Sequence, residues 1–239
     1  MVNLGKIITA QCLIDTSKIL KATQNKGFAC NKKKKVPSLS IFLHEWNDIA
    51  FSTRCLSKFS QFLIYFSMEI KLQQSTLTEW REEYINSLTK HANNPKIAQY
   101  LRDGFPSPYT KVDAHAWIQF NQTKTAPITN LAIVVKGTCI GAIGLLQKTD
   151  IHRCNIEIGY WLGEAYWGQG IVTEAVRYMV GYAFEHFEIA RIYAGVFQGN
   201  IGSKNVLKKA GFTLESTIPK GVIKNGVLLD EHIYSVLKP

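Results

Sequence analysis

Two glycines, Gly168 and Gly170, stand one residue apart where a run of helical periodicity begins. Glycine lets the backbone come close to a ligand, and the first amides of a helix have no partner within the helix. These amides and the positive end of the helix dipole attract anions. The sequence of residues 166–175 therefore predicts a loop that holds a phosphate group.

The spacing around these glycines excludes two well-known types of phosphate-binding loop. No Gly-Lys-Ser or Gly-Lys-Thr follows Gly170, which excludes the P-loop of nucleoside triphosphatases. A dinucleotide-binding fingerprint would need a third glycine, and the small residue Ala175 is out of register for it. Because Gly-x-Gly pairs also occur in tight turns, the loop alone leaves a purely structural turn as an alternative.

Regular elements flank the loop on both sides. Residues 155–162 alternate in polarity and are rich in β-branched and aromatic types, which predicts a strand. After the loop, apolar residues recur at helical spacing and predict an amphipathic helix of about four turns. They are Val172, Val176, Met179, Val180, Ala183 and Phe187. The unit is a strand, a glycine loop and a helix.

A second motif lies about thirty residues further on. Residues 200–212 predict a short helix that starts near Asn200, carries Ser203 and ends at Gly211. The two motifs, in this order, resemble the GNAT family of N-acetyltransferases, and most of all its RimJ/RimL-type branch, which acetylates ribosomal proteins. The resemblance covers about residues 68–239. It implies an α/β (α+β) fold, with a mixed, mostly antiparallel central sheet flanked by helices.

The resemblance also implies acetyl-CoA as the cosubstrate, with no metal. Its pyrophosphate would lie on the amides of the glycine loop, and its pantetheine arm would pair with the strand backbone at residues 160–162. Trp167 and Val172 replace residues that are more usual in the family, but neither change removes a backbone donor. For Asn200, a plain helix cap is the alternative to a pantetheine contact. The residues expected to bind acetyl-CoA are Tyr160, Trp161, Leu162, Trp167, Gly168, Gln169, Gly170, Ile171, Val172, Thr173 and Asn200.

Two residues are expected to be catalytic. An attacking amine must be neutral, and Glu157, on the strand before the loop, matches the position of a family base. The alternatives are an ion-paired strand carboxylate or deprotonation by solvent. Ser203 matches a hydroxyl that faces the coenzyme A sulfur, where we expect a hydrogen-bond donor. A different acid used by some RimJ/RimL-type enzymes would fall near Val222 and is absent.

The composition limits the partners and the compartment. The formal net charge is +10, but residues 1–67 carry ten basic and three acidic residues, so most of the excess lies outside the domain. We therefore expect neither nucleic acid nor membrane as a partner. Five cysteines without metal-ligand spacing indicate a reducing compartment, a cytoplasmic protein and no zinc site. Cys139 and Cys154 lie in apolar strand patterns and are interpreted as packing residues.

The chain is expected to divide into two parts. Residues 1–67 are interpreted as a basic, poorly ordered N-terminal extension, and residues 68–239 as the acetyltransferase domain, which acts as a monomer or a homodimer. Within the domain, Thr76 and Glu79 are spaced as a capping box and predict a helix start. Lys136-Gly137 and Asn225-Gly226 predict two hairpin turns.

The sequence therefore predicts an acetyl-CoA-dependent N-acetyltransferase. Because no cysteine is suitably placed for an acetyl-enzyme, direct transfer within a ternary complex is expected. The first choice of acceptor is a protein or peptide N-terminal amine. One alternative is a small amine, a polyamine or an aminoglycoside, although such polycations prefer an acidic cleft. The other is a coenzyme A-binding module without catalysis.

Overall fold

The computed structural model describes residues 69–122 and 127–239, and these form one mixed sheet with helices on both faces. A mixed, mostly antiparallel sheet flanked by helices is the fold class predicted from the sequence. The predicted extension at residues 1–67 lies outside the described residues. That extension and the boundary at residue 68 stay predictions.

The sheet of the described residues has eight strands in the order β1-β2-β3-β4-β5-β6-β8-β7. All neighbouring strands are antiparallel except β5 and β6, which are parallel. The strands are β1 (Glu69–Lys71), β2 (Thr76–Thr78), β3 (Asn130–Val135), β4 (Thr138–Gln147), β5 (Asn155–Leu162), β6 (Arg191–Phe197), β7 (Thr213–Lys224) and β8 (Val227–Leu237).

Five α-helices connect these strands within the described part of the chain. They are α1 (Ile85–Ala92), α2 (Pro95–Ala98), α3 (Lys111–Gln122), α4 (Ile171–His186) and α5 (Ile201–Lys209). Single 3-10 turns stand at Glu82–Tyr84, Asp150–His152 and Glu164–Tyr166. The predicted four-turn helix after the glycine loop is thus confirmed as α4, and the short helix that follows Asn200 as α5.

Each face of the sheet has its own apolar core. On the first face, Met179 of α4 and Leu207 of α5 are fully buried against the side chains of Ile156 and Ile158. On the second face, α1 and α3 pack over the other side of β3 and β4. Burying one large aliphatic side chain contributes about 1.5–3 kcal/mol, so these two cores hold the helices against the sheet. Strand alternation then puts Glu157 on the second face.

The parallel pair β5–β6 is short. Only three positions pair, the last being Glu157 with Tyr193, although β5 continues to Leu162 and β6 to Phe197. Beyond that point β5 pairs only with β4, and β6 only with β8. The two strands therefore separate and leave a gap with free backbone edges, which we call the β5–β6 gap.

Both predicted hairpins are confirmed. Lys136 and Gly137 link β3 to β4, and Asn225 and Gly226 link β7 to β8. All four residues have positive φ, as a two-residue turn of this type requires. Pro95 starts α2, which is a single turn.

The helix start predicted at Thr76 and Glu79 is wrong. Residues Thr76–Thr78 form β2, where Leu77 is fully buried and pairs with Ile133 of β3. The capping-box spacing is a local signal, and pairing with β1 and β3 outweighs it. The helical segment starts later, with the 3-10 turn at Glu82–Tyr84.

The interpretation of Cys154 as a packing residue is also wrong. Cys154 is exposed and precedes β5, which begins at Asn155. The 3-10 turn Asp150–His152 ends the apolar pattern just before it. Cys139, by contrast, is fully buried in β4, as predicted.

No helix among residues 69–122 and 127–239 is long and apolar enough to cross a membrane.

Gly141 is expected to be essential to the junction between β4 and β5. A Cβ at this position would lie 2.4 Å from the backbone oxygen of Trp161, and backbone cannot move aside cheaply. We predict that Gly141→Ala lowers the free energy of unfolding by about 1–3 kcal/mol. Gly159→Ala is the control, because a Cβ there meets nothing within 4 Å. Chemical denaturation of both variants measures the difference, and equal stabilities would contradict the prediction.

Candidate functional site

The first turn of α4 leaves backbone amides that could hold an anion. Gly170 is its N-cap, with φ at +83°, and no side chain caps the helix. The first backbone hydrogen bond of the helix runs from Glu174 N to Gly170 O. No described residue accepts a hydrogen bond from the amides of Gly168, Gln169 or Gly170. Unpaired amides at a helix start are the donors that a phosphate needs.

The predicted loop residues contribute in two different ways. The side chains of Ile171 and Val172 are buried in the first-face core, and that of Thr173 is also buried, so these residues offer a ligand chiefly their amides. Gly168 has φ at +75° and places no side chain over the loop. The presence of Val172 in place of a more usual residue therefore costs the loop no backbone donor, as the sequence predicts.

Glu174 braces the loop in a way that the sequence does not reveal. Its carboxylate accepts hydrogen bonds from the backbone amides of Gln73, at 2.6 Å, and Gln74, at 3.2 Å. These two amides belong to the turn between β1 and β2. The Gln74 side-chain nitrogen lies 3.3 Å from the place of a Cβ on Gly170. The β1–β2 turn thus forms one wall of the loop.

Trp167 closes the loop from the other side. Its indole N–H donates to the backbone oxygen of Leu162, at 2.7 Å. The Gln169 side chain donates to Ala165 O, at 3.1 Å. Both bonds tie the loop to the end of β5 and to the turn that follows it. The structure therefore gives these two side chains a bracing role within the loop.

Two hydroxyl groups meet on the first face beside the β5–β6 gap. Tyr160 Oη lies 2.9 Å from Ser203 Oγ. Burial raises the pKa of the Tyr160 hydroxyl, and the hydrogen bond with Ser203 only partly opposes this. The phenol therefore stays protonated and can donate. The sequence predicted Ser203 here, but it predicted only a backbone contact for Tyr160.

Asn200 is confirmed as the cap of α5. Its side-chain oxygen accepts a hydrogen bond from Ser203 N, at 3.1 Å. This bond fixes the first turn of α5 and with it the position of the Ser203 hydroxyl. The side-chain NH₂ of Asn200 donates to no described residue. It therefore leaves a donor beside the gap.

On the second face, Glu157 is held between two cations. Its carboxylate pairs with Lys148, at 2.6 Å, and with Arg102. Burial opposes its ionisation, but the hydrogen bonds and charges of Lys148 and Arg102 outweigh burial and hold the pKa of Glu157 below its ordinary value. Of the alternatives for Glu157, the ion-paired strand carboxylate is the one whose contacts are present.

The segment at residues 101–104 covers this part of the second face. Arg102 joins it to Glu157, and Asp103 joins it to Lys224 of β7, at 2.7 Å. The Lys224 side chain is only 10% exposed. Two ion pairs thus anchor the 101–104 segment to strands on either side of the gap. No local sequence signal links residues so far apart in the chain.

Glu231 is another acidic residue on this face that sequence reasoning did not identify. It pairs with Phe197 in the β6–β8 register, and strand alternation puts it on the same face as Glu157. The strand register that reveals the neighbours of Glu231 is not a local property of the sequence.

Within residues 69–122 and 127–239, no three His, Cys, Asp or Glu side chains cluster closely enough to hold a metal ion.

The ion pairs of Glu157 give a pH-dependent prediction. Its pKa in the folded protein lies below the unfolded value of about 4.3, so its contribution to stability is present above that pH and is lost in acid. We predict that Glu157→Gln lowers the unfolding free energy by about 1–2 kcal/mol at neutral pH. The loss is no larger because Arg102 is mostly exposed, and solvent screens its pair with Glu157.

The loss of unfolding free energy caused by Glu157→Gln should shrink as the pH falls below about 4. Glu83→Gln is the control, because its carboxylate is 64% exposed and lies 3.5 Å from Arg81. Denaturation curves across the pH range measure both variants. A cost that is the same at every pH would show that packing, and not charge, gives Glu157 its effect.

Comparison with known proteins agrees with this geometry. Residues 75–213 match the family model described as an acetyltransferase (GNAT) domain. Probable N-acetyltransferase YjcK of Bacillus subtilis is 44% identical over 100 residues, which are 42% of this chain and 55% of YjcK. Putative ribosomal N-acetyltransferase YdaF of the same organism is 35% identical over 106 residues, 44% of this chain and 57% of YdaF.

A solved structure gives the same fold. Microcin C7 self immunity acetyltransferase MccE, in complex with acetyl-CoA and AMP, superposes with a TM-score of 0.60 and 26% identity, covering 70% of this chain and 94% of that one. The chain spans about half the length of the curated relatives that it matches. Because the family model covers more than half of this chain and includes the glycine loop and Ser203, the protein belongs to the GNAT acetyltransferase family.

Proposed function

We propose that this protein transfers the acetyl group of acetyl-CoA to a primary amine, and that its favoured acceptor is a protein or peptide N-terminus. The observation that carries the proposal is the continuous path from the free amides at the start of α4, along the open edge of β5, to the Tyr160–Ser203 pair. A pyrophosphate, an extended amide arm and a sulfur follow one another in coenzyme A in that same order.

Each part of the path suits one part of the cosubstrate. The amides of Gly168–Gly170 and of the first turn of α4 would hold the pyrophosphate. The edge of β5 at residues 160–162 has no partner in β6, so the amide groups of pantetheine can pair with it like an added strand. Asn200, which caps α5 next to Ser203, would offer its side-chain NH₂ group to that arm.

Acetyl transfer requires one bond to form and another to break at the thioester carbonyl carbon. The amine attacks the thioester carbonyl, a C–N bond forms, and the C–S bond breaks. The departing thiolate has a parent pKa of about 8.5, so it needs a hydrogen bond more than a strong acid. Tyr160 and Ser203 can supply that hydrogen bond.

Direct transfer is favoured over an acetyl-enzyme. Burial raises the pKa of the Cys139 thiol to about 12, which keeps it protonated and a poor nucleophile. Cys154 precedes β5 at the end of the strand away from the gap. The amine would therefore attack acetyl-CoA itself.

Two considerations favour an N-terminal amine as acceptor. An α-amino group has a pKa of about 7.7–8.0 and gives up its proton far more easily than a lysine, at about 10.4. The relative YdaF carries the name of a putative ribosomal N-acetyltransferase. A small amine is the second choice, because Arg102 and Lys148 offset the acidic side chains of the second face.

The glycine loop provides the first test. We predict that Gly170→Ala lowers the affinity for coenzyme A at least tenfold and slows acetyl transfer, since a side chain at φ +83° strains the loop that must present its amides. Gly137→Ala is matched in backbone strain, with φ at +76°, but lies in the β3–β4 turn. Calorimetry and thiol release with a library of peptides and small amines measure both variants.

Equal affinities for coenzyme A in the two variants would contradict the assignment of the glycine loop as the pyrophosphate site. Coenzyme A binding without turnover of any amine would indicate a binding module without catalysis. Turnover of polyamines or aminoglycosides but not of peptides would replace the N-terminal acceptor by a small amine.

The hydroxyl pair gives a second prediction. Ser203→Ala removes one of the two hydroxyls beside the gap, and we expect kcat to fall about tenfold while coenzyme A affinity changes less than twofold, because a hydrogen bond to a charged group contributes about 1.5–3 kcal/mol. Single-turnover kinetics with calorimetry separate the two effects. An unchanged kcat would leave Tyr160 as the donor, which Tyr160→Phe then tests.

A further inference from the structure

Glu231 occupies a distinct position on the second face of the sheet. A Cβ added to Gly195 of β6 would lie 2.3 Å from Glu231 Oε1, so the carboxyl group lies directly over this glycine. Gly195 stands two residues beyond Tyr193, where β6 has already separated from β5. The Glu231 carboxyl therefore borders the β5–β6 gap from the side opposite to Tyr160 and Ser203.

This carboxyl group is free, unlike that of Glu157. The Glu231 carboxyl group forms no hydrogen bond or ion pair with any described residue. Its side chain is half-buried, and burial raises its pKa. The negative charge of Glu157 raises the pKa further, and Arg102 opposes this only in part. A free carboxylate with a raised pKa is a better base than one held by two cations.

The charged groups around Glu231 come from several elements. Glu157 faces it from β5, with Lys148 at the end of β4 and Arg102 in the 101–104 segment both paired to Glu157. From β7, Lys224 shares this face and is paired with Asp103. Each of these cations already has a carboxylate partner. Glu231 is therefore left as the unneutralised carboxylate at the gap.

We propose that Glu231, and not Glu157, takes the proton of the acceptor amine; this inference rests on the proposed acetyl transfer. As the amine attacks, its nitrogen forms the bond to the acetyl carbon, the C–S electron pair leaves with the coenzyme A thiolate, and the N–H proton passes to the Glu231 carboxylate. Glu157 acts as a positioning residue. Its charge keeps Arg102 away from Glu231 and keeps the Glu231 pKa high.

A pH–rate series on matched variants tests this division of roles. Glu231→Gln keeps the size of the side chain but removes its basicity, so kcat/KM near neutral pH should fall about 10²–10³-fold. The loss should shrink as the pH approaches the amine's own pKa, about 7.7–8.0 for an α-amino group. Coenzyme A affinity should not change, since the glycine loop is untouched. Glu215→Gln is the control, because Glu215 of β7 pairs with Arg191 at the start of β6, away from the gap.

Glu157→Gln should behave differently from Glu231→Gln. Removing the charge of Glu157 lowers the pKa of Glu231, so the acid limb of the kcat/KM profile should move to lower pH while the plateau falls by less than tenfold. Carboxyl NMR titration of the intact protein should show the same shift directly. The NMR titration thus reports on Glu231 independently of the rate.

The outcomes separate the inference from the function on which it rests. If the unsubstituted protein acetylates amines but Glu231→Gln is equally active, or if Glu157→Gln shows the larger base-dependent loss, the role of Glu231 is overturned alone. A Glu231 carboxyl that titrates below about 4.3 would also overturn it. If the unsubstituted protein acetylates no amine, the proposed function fails and the inference fails with it.

Discussion

The separation of β5 from β6 is the constraint on which the site depends. A parallel pair needs a crossover connection, and here α4 provides it, so the glycine loop that starts α4 must follow β5 directly. Pairing stops after Glu157 and Tyr193 because β5 stays with β4 while β6 stays with β8. The same topology therefore produces an open backbone edge and puts a helix start with unpaired amides at its end.

The gap also divides the polar groups by chemical type. Hydroxyls from β5 and α5 lie on the first face, where the thiolate of the proposed reaction would need donors. Carboxylates from β5 and β8 lie on the second face, where the proposed acceptor amine would lose its proton. Strand alternation enforces this division, since Glu157 and Tyr160 are an odd number of residues apart in β5 and point to opposite faces.

Sequence reasoning succeeded where the signal is local. The helical period after Gly170 gave α4, two glycine turns gave the hairpins, and the Asn200–Ser203 spacing gave the cap of α5. It failed at Thr76–Thr78, where pairing with β3 outweighs a capping pattern. It could not find the ion pair between Arg102 and Glu157, because 55 residues separate the two and only the fold brings them together.

The choice between the two carboxylates shows why the proposed base could not be identified from the sequence. A strand glutamate before a glycine loop is visible in sequence, but its pKa is set by Lys148 and Arg102, and the ion pairs that stabilise Glu157 as an anion also weaken it as a base. Glu231 gains basicity from the same arrangement, since the cations are occupied and the charge of Glu157 remains nearby. Gly195 leaves room for this carboxyl group, because any side chain there would occupy the position of Glu231 Oε1.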